Sequence, residues 1–139
     1  KENIFILDNE ETETVLFNLQ NFYNMIENVS LNRVELRGRI GQDPKIAQVG
    51  NTSVARFSVA TSEIYKDRNG DLKEDTTWHN VSAWAGKGIV EFGSLKKGVL
   101  VSVVGRLRNV KYTANDGGDH QYVEVLANRL SVVSEQERE

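Results

Sequence analysis

Apolar and polar residues alternate through most of this chain after residue 31, and this period of two limits its fold more than any other feature. In residues 34–40, apolar residues or glycine occupy every even position and charged residues every odd position. Successive side chains of a β-strand point to opposite faces, so this segment is predicted to be a strand with one buried and one charged face. Four later segments are predicted to be strands as well: 54–62, 76–84, 99–110 and 121–133.

Turn-forming residues separate these strands. Residues 45–49, Gly50-Asn51 and the residues from Thr52 onward predict a hairpin with a tight turn. The polar stretch 63–75 is predicted to be a loop or a projecting hairpin, and residues 88–97 to be a short helix that ends at Gly98. Five strands with one short helix between the third and fourth predict an all-β fold, a small Greek-key barrel of the OB type.

The first 30 residues follow a different period. Apolar residues at positions 15, 16, 19, 22, 23 and 26 lie on one face of a helix that is predicted over residues 14–28. The apolar run 4–7 is predicted to be a short strand. We therefore expect a partly helical acidic extension (1–30), one OB domain (31–133) and a short tail (134–139).

Charge divides the chain in the same way. Residues 1–31 have a net charge of −5 and residues 134–139 of −2, whereas residues 32–133 have +4. The whole-chain charge of −3 thus conceals a basic body between acidic ends. The chain has no cysteine and only two histidines, which excludes disulfides, thiolate zinc sites and cysteine nucleophiles. We expect no metal, no cofactor and no catalytic residues.

The third predicted strand is the most informative segment. Strand parity places Trp78 and Trp84 on one face, together with Asn80 and Ser82, and small apolar residues on the other. Two interpretations of the tryptophans stay open: a platform on which bases stack, or a cover for the barrel rim or an oligomer interface. Arginines lie on the polar faces of the other strands and would suit the phosphates of a single strand: Arg37, Arg39, Arg56, Arg106 and Arg108.

Several motifs agree with a known family in order and spacing. They are Asn32-Arg-Val-Glu-Leu-Arg-Gly-Arg-Ile-Gly-Gln-Asp-Pro44, Ala60-Thr-Ser-Glu63, Thr77-Trp-His79, Lys97-Gly98, Val104-Gly-Arg-Leu-Arg108 and Lys111-Tyr112. Over residues 31–133 the chain resembles the bacterial single-stranded DNA-binding protein (SSB) family, which includes mitochondrial relatives. The resemblance implies an OB barrel, usually a homotetramer, that binds single-stranded DNA with little sequence preference.

The resemblance also implies roles for individual residues. The family's base-stacking aromatics fall on Tyr65, Trp78, Trp84 and Tyr112. Its phosphate-contacting bases fall on Lys97, Arg108 and Lys111, and its lysine after the third aromatic is one residue late here, at Lys87. His79 matches a histidine near the subunit interface. Relatives usually end in an acidic, aromatic-containing tip that recruits replication and repair proteins, and residues 134–139 carry no such tip.

The expected function is non-catalytic binding of single-stranded DNA in replication, recombination and repair. We expect a cytoplasmic, nucleoid-associated protein, since no apolar run approaches the ~20 residues of a membrane span and no secretory leader is visible. The alternative is a homo-oligomeric OB adaptor, or an accessory protein of a primosome or mobile element, with weak or no DNA binding. For residues 1–30 two hypotheses stay open. They form a helix that covers a barrel or oligomer surface, or an acidic segment with aromatics that competes with DNA for the basic face or takes the place of the missing tip.

Overall fold

The computed structural model describes residues 8–27 and 29–134. The chain forms two compact units, divided between Leu31 and Asn32. The predicted strand at residues 4–7 lies outside the described residues.

The described residues of the first unit contain one helix, α1 (Asn9–Glu27). The predicted helix is confirmed, but it begins five residues before Thr14 because Asp8 and Glu11 form a reciprocal cap. The Glu11 backbone N–H donates to Asp8 Oδ1 at 2.7 Å, and the Asp8 N–H donates to Glu11 Oε2 at 3.2 Å. Apolar side chains of α1 such as Leu16 and Tyr23 are exposed. Within the described part of the chain, no helix has the length and apolarity that a membrane span requires.

As far as residue 134, the second unit is a sheet of six strands with a one-turn 3-10 helix, Phe92–Ser94, between the fourth and fifth. The strands are β1 (Val34–Ile40), β2 (Lys45–Val49), β3 (Thr52–Lys66), β4 (Leu72–Trp84), β5 (Leu100–Thr113) and β6 (Asp119–Val132). The five predicted strands correspond to β1, β3, β4, β5 and β6, and β2 is the first arm of the predicted short hairpin.

The sheet closes on itself. Its order is β1-β5-β6-β4-β3-β2, and β1 also pairs with β3 through Arg39–Ala60 and Ile40–Val59. Five strands therefore form a closed barrel, with β2 attached to the outer edge of β3. All described pairings between strands are antiparallel except β4–β6, which is parallel. The predicted OB fold is confirmed.

The barrel interior is filled by the alternate residues that the sequence pattern selects. Its buried cluster comprises Ile40, Ala55, Phe57, Val59, Val81, Ala83, Leu95, Val101, Val103, Val125, Ala127 and Leu130. Two strand glycines permit close crossings, because a Cβ at Gly38 would overlap the carbonyl of Ala60, and one at Gly105 the carbonyl of Leu126.

The helix predicted over residues 88–97 is much shorter in the structure. Gly88 adopts a positive φ of 82°, and Ile89 forms an isolated bridge with Leu130 of β6. The Val90 N–H donates to the Leu130 carbonyl at 2.9 Å. The first apolar residues of this segment therefore pair with a strand, and only one 3-10 turn follows them.

Candidate nucleic-acid interface

The strand registers define which side chains share the outer face of the barrel. Cross-strand partners lie on the same face, and Trp78 pairs with Ala60 while Trp84 pairs with Val54. The intervening residues Val81 and Ala83 are 2% and 0% exposed and fill the core. The sequence-based assignment of both tryptophans to the face opposite the core therefore agrees with the observed register.

Trp78 is held by a neighbouring glycine. Its side chain is 60% exposed, yet a Cβ at Gly41 would overlap Trp78 Cζ3 and lie 2.9 Å from Ser58 Oγ. The indole therefore lies against the backbone of Gly41 and leaves most of its surface free. Trp84, at 37% exposed, is more covered.

The β5–β6 hairpin adds a second aromatic group to the same face. Tyr112 stacks on its cross-strand partner His120, with ring centroids 5.5 Å apart, and meets Tyr122 edge-on at 5.8 Å. The hairpin borders a recess of about 530 Å³, which Tyr112 and His120 line. Since β6 lies between β5 and β4, this aromatic group is continuous with the tryptophan face.

Tyr65 lies on the other face of the β3–β4 hairpin. Ala60 shares a face with Trp78, and Tyr65 follows five residues later, so its side chain has the opposite parity. It pairs with Lys73, next to the directly opposed acids Glu63 and Asp75. The structure thus groups three of the four predicted stacking residues and separates Tyr65 from them. The sequence motif around Tyr65 does not show on which face its side chain lies relative to Trp78, because that depends on the register between β3 and β4.

The eight predicted phosphate-contacting residues are distributed around the barrel. Arg56 pairs with Ser82 beside the tryptophans, and Arg106 pairs with Leu126 on the continuous face. Lys111 has the opposite parity to Tyr112. The other cations lie on the outer side of β1 and in the connection before β5: Arg37, Arg39, Lys87 and Lys97. Of the eight, Arg108 alone forms an ion pair with a described residue.

The partner in that ion pair is Glu124, which no sequence motif singles out. Glu124 is 3% exposed, although it lies on the outer face, and its Oε1 accepts hydrogen bonds from Arg108 Nε at 3.0 Å and Nη2 at 2.6 Å. Ser82 Oγ donates to the same oxygen at 3.0 Å. Parity could have placed Glu124 beside Arg108, but no sequence pattern indicated that a carboxylate on this face would be buried.

His79 lies on the core side of β4, opposite Val59. Its Nε2 is 2.8 Å from Thr61 Oγ1, and the ring is half-buried. Its place at a subunit interface stays a prediction.

Known proteins share both the sequence and this fold. The model of the "Single-strand binding protein family" matches residues 31–133. A single-stranded DNA-binding protein of Neisseria meningitidis serogroup A is 40% identical over 106 residues, which cover 76% of this chain and 61% of that protein. The mitochondrial single-stranded DNA-binding protein of Rattus norvegicus is 36% identical over 118 residues, covering 79% of this chain and 78% of that protein.

A solved structure is also similar to this chain. Plasmodium falciparum SSB in complex with ssDNA aligns with a TM-score of 0.62 and 31% identity, over 76% of this chain and 96% of that one. This chain spans about 61% of the length of the Neisseria relative. Because the family model covers most of the chain, the chain belongs to the single-strand binding protein family.

Proposed function

We propose that this protein binds single-stranded DNA with little sequence preference and holds it unpaired during replication, recombination and repair. The observation that carries the proposal is the continuous outer face of β4, β6 and β5, on which Trp78, Trp84 and Tyr112 are exposed. Every base has a π-face, so stacking on such rings is tolerant of sequence and contributes about 1–3 kcal/mol per base.

Cations around the rings would hold the backbone of the strand. Arg56 and Arg106 flank the aromatic face and have no ion pair with a described residue, so their charges are available to phosphates. Arg37, Arg39, Lys87, Lys97 and Lys111 lie elsewhere around the barrel and would contact phosphates where the strand runs beyond the aromatic face. Each phosphate that is neutralised releases condensed counterions, which makes the affinity dependent on salt.

The relatives support this assignment. The Plasmodium structure that aligns with this chain is described as a complex with ssDNA. By the same likeness we propose a DNA-associated, cytoplasmic homotetramer with His79 near a subunit interface, and with proteins of replication and repair among its partners. Tyr65 would contribute a fourth stacking contact if the strand passes around the edge of the β3–β4 hairpin.

The binding is proposed to involve no catalysis. An end-labelled oligonucleotide incubated with the protein and Mg²⁺ should keep its full length, and metal-dependent cleavage would contradict this part of the proposal.

Tryptophan fluorescence gives the direct test. Titration with poly-dT at low salt should quench the emission strongly and saturably, because bases that stack on Trp78 and Trp84 quench the indoles. High salt should weaken the binding. An absence of quenching at low salt would contradict the proposal and favour the homo-oligomeric adaptor, in which a protein interface covers the aromatic face.

The separation of Tyr65 from Trp78 allows a sharper comparison. Trp78→Ala should weaken binding about 10-fold or more, since its ring lies on the continuous face. Tyr65→Ala should have a smaller effect, because its ring shares a face with Glu63 and Asp75. Equal losses in the two folded variants would mean that the DNA contacts both faces of the hairpin.

A further inference from the structure

Glu124 is a buried acid in the middle of a surface that would bind a polyanion. It is 3% exposed, and the three hydrogen bonds that it accepts, from Ser82 and Arg108, all end on Oε1. The ion pair compensates its charge. It does not use the second carboxylate oxygen.

The second oxygen, Oε2, is available from the surface. It accepts no hydrogen bond from the described residues. Every side-chain N or O atom that is fully buried among those residues does have a partner. Oε2 is therefore accessible, and the small exposed fraction of Glu124 includes this atom.

Two grooves meet at Glu124. One, of about 420 Å³, is lined by Arg56, Asn80 and Tyr122 among others. The other, of about 170 Å³, is lined by Trp78 and Asn80 together with core-side residues such as Leu107 and Val125. Glu124 lines both. Asn80 follows Trp78 by two residues on the same face, a separation of roughly 7 Å along a strand. A base that stacks on Trp78 and enters the groove shared with Glu124 would bring one edge to Asn80 and Glu124.

We propose that Glu124 Oε2 accepts a hydrogen bond from the exocyclic amino group of a base stacked on Trp78, and so gives this interface one base-selective position. The inference rests on the proposed function. A carboxylate pairs well with the N4 amino group of cytosine. The ring N–H of uracil or thymine stands between two carbonyl oxygens, and these would approach the carboxylate with like partial charge.

Glu124→Gln tests the assignment with almost no change in shape. The amide oxygen can replace Oε1 as the acceptor for Ser82 and Arg108, which turns the amide NH₂ toward the groove. In the variant, the amide NH₂ donates a hydrogen bond in the groove at the position where Oε2 of the wild type accepts one. This should favour the carbonyl groups of uracil over the amino group of cytosine.

The measurement is the ratio of affinities for oligo-dC and oligo-dU of equal length, in the wild-type protein and in Glu124→Gln. The two strands have no methyl group at C5, and the thermodynamic cycle cancels differences in strand flexibility. We expect the dC/dU affinity ratio to fall by about 10-fold in the variant, the size expected for one hydrogen bond to a charged group.

Glu91→Gln is the matched control, because it removes the same charge from an exposed residue beside the 3-10 helix. Its dC/dU ratio should equal that of the wild type, and circular dichroism should show that both variants are folded. An unchanged ratio in Glu124→Gln, or an equal fall in Glu91→Gln, would overturn the inference alone. Failure of the wild-type protein to bind either strand would overturn the proposed function and this inference with it.

Discussion

Trp78, the more exposed of the two tryptophans, is positioned by its contact with a glycine, Gly41. The indole of Trp78 lies against the backbone of Gly41, and Ser58 Oγ lies beside the same contact. An aromatic platform needs one free face and one supported face, since an unsupported ring loses conformational entropy when a base stacks on it. Gly41 supplies the support.

Gly41→Ala should therefore weaken the binding of single-stranded DNA severalfold while the barrel stays folded. The new methyl group would overlap Trp78 Cζ3 and force the indole to rotate. A fluorescence titration measures the affinity, and a shifted emission maximum of the free protein would report the new environment. Gly93→Ala is the control, because a Cβ there meets nothing within 4 Å. Wild-type affinity in folded Gly41→Ala would show that the position of Trp78 does not depend on Gly41.

Individual residues also show what the sequence could predict of the site. Parity alone placed Trp78 and Trp84 on one face, because alternation is a local property of a strand. The burial of Glu124 could not be predicted, because it depends on hydrogen bonds from Arg108 on the neighbouring strand β5. The opposite orientation of Tyr65 required the register of the whole β3–β4 hairpin.

At the scale of elements, β5 carries two arginines with different electrostatic states. Arg106 and Arg108 lie two residues apart on one face, but Arg108 is paired with Glu124 and Arg106 has no ion pair with a described residue. A phosphate therefore finds more uncompensated charge at Arg106.

Arg106→Gln should make the salt dependence of DNA binding shallower. If the variant neutralises one phosphate fewer, the slope of log K against log salt should change by about 0.7. Titrations at several salt concentrations measure this slope. Arg33→Gln provides the control, because Arg33 is already paired with Glu35 at 3.2 Å. The same change of slope in both variants would mean that the effect follows net charge and not a phosphate bound at Arg106.

The elements themselves could be predicted where one period dominates. The strands and α1 follow clear periods of two and of 3.6, whereas residues 88–97 combine a β-bridge at Ile89 with a 3-10 turn. Apolar spacing cannot separate those two states from a short helix. The N-terminal limit of α1 was set by the Asp8–Glu11 cap and not by its apolar face.

For the whole molecule, the closure of the barrel depends on Gly38. β1 pairs with β5 along most of its length and turns to β3 near its end, where the backbone of Gly38 approaches the Ala60 carbonyl. Alternation and turn residues predicted a five-stranded barrel. Which strands meet at the closure is a long-range property that no local pattern contains.

Gly38→Ala should destabilise the protein by about 3 kcal/mol, because a Cβ would overlap a backbone carbonyl that cannot rotate away. Thermal unfolding followed by circular dichroism should show a clear fall in Tm. Gly93→Ala again serves as the control and should melt close to the wild type. A wild-type Tm in Gly38→Ala would mean that β1 and β3 separate easily to admit the methyl group.

The parallel pairing of β4 with β6 has a consequence for how the protein becomes active. The two strands are far apart in the chain, and Ser82 and Glu124, which it brings together, are separated by 42 residues. Folding rates fall as contacts become more distant in sequence, so insertion of β6 belongs to the slow steps of folding. Before that insertion β4 and β5 are linked only through β1 and β3, on the opposite side of the barrel. A nascent chain in which β6 has not yet inserted would thus have both tryptophans but no continuous outer face to which a DNA strand could bind.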